Sequence, residues 1–213
     1  MRLRKKQWSE EVFEINKNYT VNEFETIRNH WKEVMGVDTL HLEIGAGKGD
    51  YWHLLSLQHP TRGFVAMEKD YTASSIALKK LEEYPQTNKR FIYDDAKKLN
   101  EMFGPNEVDV VHLNFSDPWP KLRHEKRRLS YKDKLDDYYE ILSDNGEIWM
   151  KTDNQSLFNY SLVSVSNHKF QLIEVDVDFR KDEKEDPMSE YERKFVNLGQ
   201  PIYRAVWRKK NVG

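Results

Sequence analysis

Short apolar runs punctuate this chain, and longer stretches of helical period separate them. The runs are TLHLEI (39–44), GFVAME (63–68), RFIY (90–93), VDVVHLNF (108–115), GEIWMK (146–151), FQLIEVDV (170–177) and IYRAVW (202–207). Each has the length and the β-branched or aromatic content of a strand. Between them the spacing predicts helices over 21–35, 49–59, 72–84, 130–142, 155–166 and 189–198. Strands that alternate with helices imply an α/β fold, a mostly parallel seven-stranded sheet with helices on both faces. VDVVHLNF alternates poorly, as a strand buried on both faces does. The last two strands are expected to pair antiparallel at one edge. The charged stretch RKDEKEDP (180–187) reads as a solvated, mobile loop.

Composition narrows the class. The 213 residues suit one domain spanning 1–213, with 1–20 as a basic arm. Hydrophobic residues make up 38% and charged residues 33%, enough for a core beneath a charged surface. The net charge of −2 points to no nucleic-acid partner by itself, so that argument rests on local clusters. The absence of cysteine excludes disulfides, thiolate catalysis and Cys-based zinc sites, and no metal is expected. MRLRKKQW lacks the apolar segment of a signal peptide, and no run is long enough to span a membrane. A cytoplasmic monomer or homodimer is the expectation.

Two stretches carry candidate chemistry. LEIGAGKGDY (42–51) follows the first strand and opens a helix. Gly45, Gly47 and Gly49 permit a sharp turn and a close ligand approach, next to free helix N–H groups. The spacing is neither the dinucleotide fingerprint nor a P-loop. Glu43 would repel a diphosphate and attract a ligand with a cationic amine, which favours S-adenosylmethionine. Glu68, at the second strand end, suits ribose hydroxyls. Asp95, with Asp94 as its rival, follows the third strand and suits an adenine amine. The competing reading is a tight turn with acids that cap helices.

In NFSDPWPKLRHEKRRL (114–129) the fourth strand delivers Asp117 and Trp119 in a turn stiffened by Pro118 and Pro120. An acid and an aromatic ring suit a nucleobase, since a carboxylate accepts from guanine N1–H and N2–H. Lys121, Arg123, Lys126, Arg127 and Arg128 follow, with His124 and Glu125 among them. That density suits a phosphate backbone, against the alternative of a solvated loop. Asp153 in KTDN reads equally as substrate contact or helix cap. SEYE (189–192) has the spacing of a capping box. His112 reads as a core histidine, and Trp8, Trp31, Trp52, Trp149 and Trp207 as packing residues. Lys151 receives no role.

Together NFSDPWPKLRHEKRR, EIGAGKGD, KTDN, MSEYERKF and GQPIYR resemble the bacterial tRNA (guanine-N7-)-methyltransferase family. The resemblance implies a Rossmann-like class I S-adenosylmethionine-dependent methyltransferase fold. It implies methylation of a guanine in the tRNA variable loop. It assigns cofactor contacts to Glu43, Glu68, Asp95 and Asp117. Substrate contacts fall on Lys121, Asp153 and the segment Ser189, Glu190, Tyr191 and Glu192. RNA contacts fall on Arg123, His124, Glu125, Lys126, Arg127 and Arg128. The family's usual K-K-R-H is KLRH here, so Leu122 removes one cation, and Ser189 replaces the usual Thr. Asp117 is expected to orient the base and favour its developing positive charge. The basic arm, Arg2, Arg4, Lys5 and Lys6, is expected to help hold tRNA or to fold over the cofactor, against the alternative of a solvated terminus. Two other classes compete: an exocyclic-amine nucleic-acid methyltransferase, and a non-catalytic RNA-binding protein on a similar domain.

Overall fold

A computed structural model describes residues 7–83 and 85–210. Arg2, Arg4, Lys5 and Lys6 lie outside the described residues. In chain order the helices and strands are α1 (Gln7–Ile15), α2 (Trp31–Met35), β1 (Leu40–Ile44), α3 (Asp50–Gln58), β2 (Gly63–Met67), α4 (Tyr71–Lys79) and β3 (Lys89–Ile92). There follow α5 (Leu99–Met102), β4 (Val108–Asn114), α6 (Lys132–Ile141), β5 (Leu142–Thr152), α7 (Gln155–Ser166), β6 (Phe170–Asp176), α8 (Glu190–Asn197) and β7 (Tyr203–Lys209).

The strands form one sheet in the order β3-β2-β1-β4-β5-β7-β6. The first five are parallel, and β7 runs antiparallel between β5 and β6, as the late position of the last two runs predicted. Strand order reverses between β1 and β4, which opens a crevice at the carboxyl ends of those strands. The glycine loop and the Asp-Pro-Trp-Pro turn both leave the sheet there.

Side-chain parity divides β1 between two layers. Leu40, Leu42 and Ile44 join Val111, Leu113, Ile148, Met150 and Trp207 in the larger apolar core. Phe64, Ala66 and Phe91 pack with Trp52, Leu55 and Ala77 on the other face. On that second face the central strands carry polar groups. His41 Nδ1 lies 2.9 Å from His112 Nε2, and the rings stack at 5.2 Å. Burial lowers His41 to about 3 and holds His112 well below its usual value, so both are neutral and one donates to the other. His112 is the core histidine expected of it.

Several expectations need correction. The helix expected over 21–35 is a 3-10 turn at Phe24–Thr26 followed by the short α2. Asn29 breaks it in the left-handed region at φ 71°, held there as Glu107 accepts from Asn29 N and Trp31 N. Helices α1 and α5 were not expected. Phe13 of α1 stacks on Tyr71 at 5.1 Å. The segment 180–187 is not simply a solvated loop. Phe179 is buried, and the Arg180 and Asp186 side chains are only 6% and 14% exposed. Arg180 and Asp186 reach Lys151 and Glu192, and close the polar side of the sheet.

Candidate active site

The glycine loop is tied to the end of β2. Gly45 N and Ala46 N donate to Met67 O at 2.8 and 3.0 Å. Gly47 N donates to Glu68 Oε2 at 3.0 Å, and the other Glu68 oxygen accepts from Lys69 N and Asp70 N. Gly45, Gly47 and Gly49 have φ of 75°, 56° and 74°, conformations that favour glycine. Glu43, one residue before the end of β1, is buried. One oxygen accepts from Asn114 Nδ2 at 3.0 Å, and Oε2 is buried with no hydrogen-bond partner among the described residues. Burial pushes its carboxyl up to about 7, with the Asn114 bond, the Lys151 charge and then the Trp52 backbone amide acting against it.

The turn after β4 is held in an uncommon backbone conformation. Phe115 and Trp119 have φ of 50° and 40°, unfavourable for aromatic residues. Phe115 N donates to Lys151 O at 2.8 Å. Arg128 stabilises the turn from below: Nε donates to Pro118 O and an NH2 group to Trp119 O, at 3.2 and 3.1 Å. Its guanidinium also lies 4.2 Å from the Tyr160 ring centre. Arg128 is therefore engaged in the turn, and its guanidinium is partly buried there. Lys121, Arg123, Lys126 and Arg127 are exposed along a 3-10 segment, Leu122–Arg127. Arg127 lies over the Trp119 ring at 4.8 Å, and His124 meets the same ring edge-on.

Two chambers open at this edge of the sheet. One, with about 710 Å³ of empty space counting its mouth, is lined by Glu68, Asp94, Asp95, Asp117, Trp119 and Arg127 among others. The second, about 1240 Å³, is lined by Glu43, Gly47, Asn114, Ser189, Glu190 and Tyr191 among others. Gly45 and Phe115 line both. The carboxylate ahead of Pro118 thus shares a cleft with the glycine loop. Asp94 and Asp95 both reach it. Asp95 also accepts from Lys97 N and pairs with Lys97 Nζ at 2.8 Å.

Helix α8 forms the far wall. Ser189 caps it, accepting from Glu192 N at 3.0 Å, so the capping reading of SEYE holds. Tyr191 is half exposed and lies 5.3 Å from the Phe115 ring. Its phenol is raised by burial and then by the charges of Asp153 and Asp117, which brings those two acids to the same mouth. Asp153 does not cap α7. Asn154 does, accepting from Leu157 N at 2.8 Å. Glu190 pairs loosely with Lys48 at 3.4 Å. Glu192 is wholly buried in ion pairs with Lys151 and Arg180, so it offers a substrate no surface.

The family model described as "Putative methyltransferase" matches residues 38–205. The tRNA (guanine-N(7)-)-methyltransferase of Exiguobacterium sp. is 44% identical over 215 residues, covering 99% of this chain and all of that protein. The chain belongs to the tRNA (guanine-N7-)-methyltransferase family. The relative from Bacillus velezensis is 40% identical and covers 99% of both chains. Among solved structures, the 16S rRNA methyltransferase KamB superposes with a TM-score of 0.63 at 14% identity, over 89% of this chain and 93% of that one. An antibiotic-related methyltransferase gives 0.60 at 17% identity, over 87% and 94%. These likenesses establish a Rossmann-like methyltransferase fold, as the family resemblance implied; the alternation of runs predicted its α/β sheet.

Sequence reading of this methyltransferase missed Lys151, Asn114 and Phe115. Lys151 and Asn114 are polar residues at the carboxyl ends of apolar runs, and a buried polar group calls for a partner. That signal was present. The left-handed backbone of Phe115 has no counterpart in the sequence.

Proposed function

We propose that the protein transfers a methyl group from S-adenosylmethionine to N7 of a guanine in the variable loop of tRNA. The observation that carries this reading is the unpartnered, buried Glu43 oxygen at one chamber, with Asp117 at the other. A buried acceptor without a partner is costly unless a ligand supplies the donor. A ligand ammonium group supplies one. Glu43 and Asn114 then hold the amino-acid end, and the backbone of Gly45 and Gly47 allows close approach. Glu68 and Asp95 take the ribose and adenine, since each carboxylate has lone pairs beyond those its backbone donors use. When bound, the cofactor supplies an electrophilic methyl on a sulfonium.

Guanine N7 has a free lone pair, so no residue need remove a proton before attack. The protein's work is orientation and charge placement. Asp117 accepts from the guanine edge and favours the positive charge that develops on the base. Asp153, Tyr191 and Ser189 line the base's entry, with Lys121 at the rim. Arg123, Lys126 and Arg127 neutralise phosphates, and His124 and Glu125 shape that segment. The base must leave its stack to reach the cleft.

The deciding assay incubates the protein with labelled S-adenosylmethionine and unmodified tRNA, then maps chain scission at N7-methylated guanines. Scission at one variable-loop guanine is expected. Label on an exocyclic amine, or no transfer, overturns the reading.

A further inference from the structure

Lys151 lies inside the protein, with its side chain 1% exposed, on the strand that ends at the cleft. Its Nζ donates to Glu192 Oε2 at 2.9 Å and to Asp186 Oδ2 at 2.6 Å, and sits 4.3 Å from the Tyr51 ring centre. Arg180 closes the set, donating to Glu192 Oε1 at 2.6 Å and to Asp186 Oδ2 at 2.8 Å. Tyr51, from the helix that the glycine loop opens, donates to Asp186 Oδ1 at 2.8 Å. Two cations meet two carboxylates, so the cluster is neutral and its hydrogen bonds are largely satisfied. Burial pushes the Asp186 carboxyl up, but Lys151, Tyr51 and Arg180 outweigh it and hold it below the usual range.

The cluster has an uncommon position. Of the described α8 residues, Glu192 alone is buried. No apolar residue anchors that helix in the core, so the ion pairs of Glu192 set where it lies. The neighbouring residue in α8, Tyr191, packs against Phe115, with ring centres 5.3 Å apart. Phe115 is itself fixed by its N–H on the Lys151 carbonyl. One residue therefore holds both aromatic walls: its backbone holds Phe115, and its ammonium holds the helix that carries Tyr191.

We propose that Lys151 is a positioning residue for methyl transfer, which sets the place of the Phe115–Tyr191 pair at the cleft through Glu192. This rests on the reading that the cleft accepts an RNA base. The place of that pair governs how the base meets the donor, so its loss affects turnover of tRNA far more than cofactor affinity.

The test is a double-mutant cycle of Glu192→Gln, Lys151→Met and the pair together, at 25 °C and pH 8.5, above the value of about 7 that Glu43 has in the wild type. The pair removes one cation and one carboxylate and leaves Arg180 and Asp186 matched. Melting temperature and S-adenosylmethionine Kd are measured alongside kcat and KM for tRNA. We expect Glu192→Gln to lower kcat/KM for tRNA by about tenfold or more while the cofactor Kd stays within about threefold. The double variant should lose no more than Glu192→Gln, because both act through one contact. If Lys151→Met alone does not fold, the comparison of Glu192→Gln with the double variant still decides. Wild-type kcat/KM in folded Glu192→Gln overturns the proposal, as does a double variant whose loss is the product of independent losses. A wild-type protein inactive on tRNA overturns the functional reading instead.

Discussion

Glu43 and Asn114 face each other across β1 and β4 at 3.0 Å, and that bond leaves the other Glu43 oxygen buried without a hydrogen-bond partner among the described residues. The free protein keeps a proton on Glu43 up to about pH 7. A bound ammonium group favours the ionised carboxylate, so the bound form releases this proton. Cofactor affinity should therefore rise with pH up to about 7, by up to about tenfold per unit, and decline once the ligand's own α-amino group, at about 7.7–8.0, loses its proton. Calorimetry in buffers of different ionisation enthalpy should detect up to one proton released near pH 6. Glu43→Gln should abolish both the release and the slope, and weaken binding at pH 8 by about 2 kcal/mol. A pH-independent Kd in the wild type would remove Glu43 from the cofactor site.

Asp117 separates chemistry from stability because its side chain is exposed at the cleft mouth. Asp117→Ala leaves no void, so its unfolding free energy should stay within about 0.5 kcal/mol of wild type. If the carboxylate orients the guanine and favours its charge, single-turnover rates should fall by roughly 10² to 10³. Unchanged rates with saturating tRNA would assign the role elsewhere.

How far the sequence reached can be followed residue by residue. β1, β2 and β4 were legible because strands buried on both faces leave continuous apolar runs, and α7 matched its expected span of 155–166. Gly45, Glu68, Asp95 and Asp117 were expected at strand ends, and the chain does bring them to one cleft. Contacts between distant residues were not legible. Asn29 breaks a helical pattern because Glu107 holds its N–H, and no local signal contains that partner. Arg180 and Asp186 read as solvent-facing because their counter-charges, Lys151 and Glu192, lie in other elements. Arg127 and Arg128 are chemically identical neighbours, yet one faces solvent and the other holds a turn. Local pattern reports burial period, and says little about which side chain finds which partner.

The glycine loop yields a contrast in two readouts. Gly45 and Gly49 share nearly the same φ, 75° and 74°, so alanine at either costs about 1–2 kcal/mol in backbone strain. At Gly45 an added methyl meets open space within the cleft. At Gly49 it would lie 2.9 Å from Ala77 Cβ, between packed helices, which adds about 1–3 kcal/mol of overpacking. Gly49→Ala should therefore lower the melting temperature about twice as far as Gly45→Ala. Cofactor affinity should follow the reverse order, because only Gly45 lines the chambers. Equal effects on both measurements would mean that the loop acts as one rigid unit.

Arg127 and Arg128 provide the sharpest test of the cation segment. Arg127 is exposed and among the described residues lies over the Trp119 ring with no ion pair, so its charge is available to a phosphate. Replacing it with Ala should reduce the slope of log K for tRNA against log salt by about one unit, with the melting temperature unchanged. Arg128 donates instead to Pro118 O and Trp119 O, where the backbone is held left-handed. Arg128→Ala removes charge-assisted bonds and should cost about 1–3 kcal/mol of stability. It should also lower kcat by releasing the turn that carries Asp117, with a smaller change in salt slope than Arg127→Ala gives. Filter binding at four salt concentrations and thermal unfolding of both variants separate the two roles. If Arg128→Ala flattens the slope as much as Arg127→Ala and leaves unfolding unaltered, the bracing role is wrong and Arg128 joins the RNA-facing set.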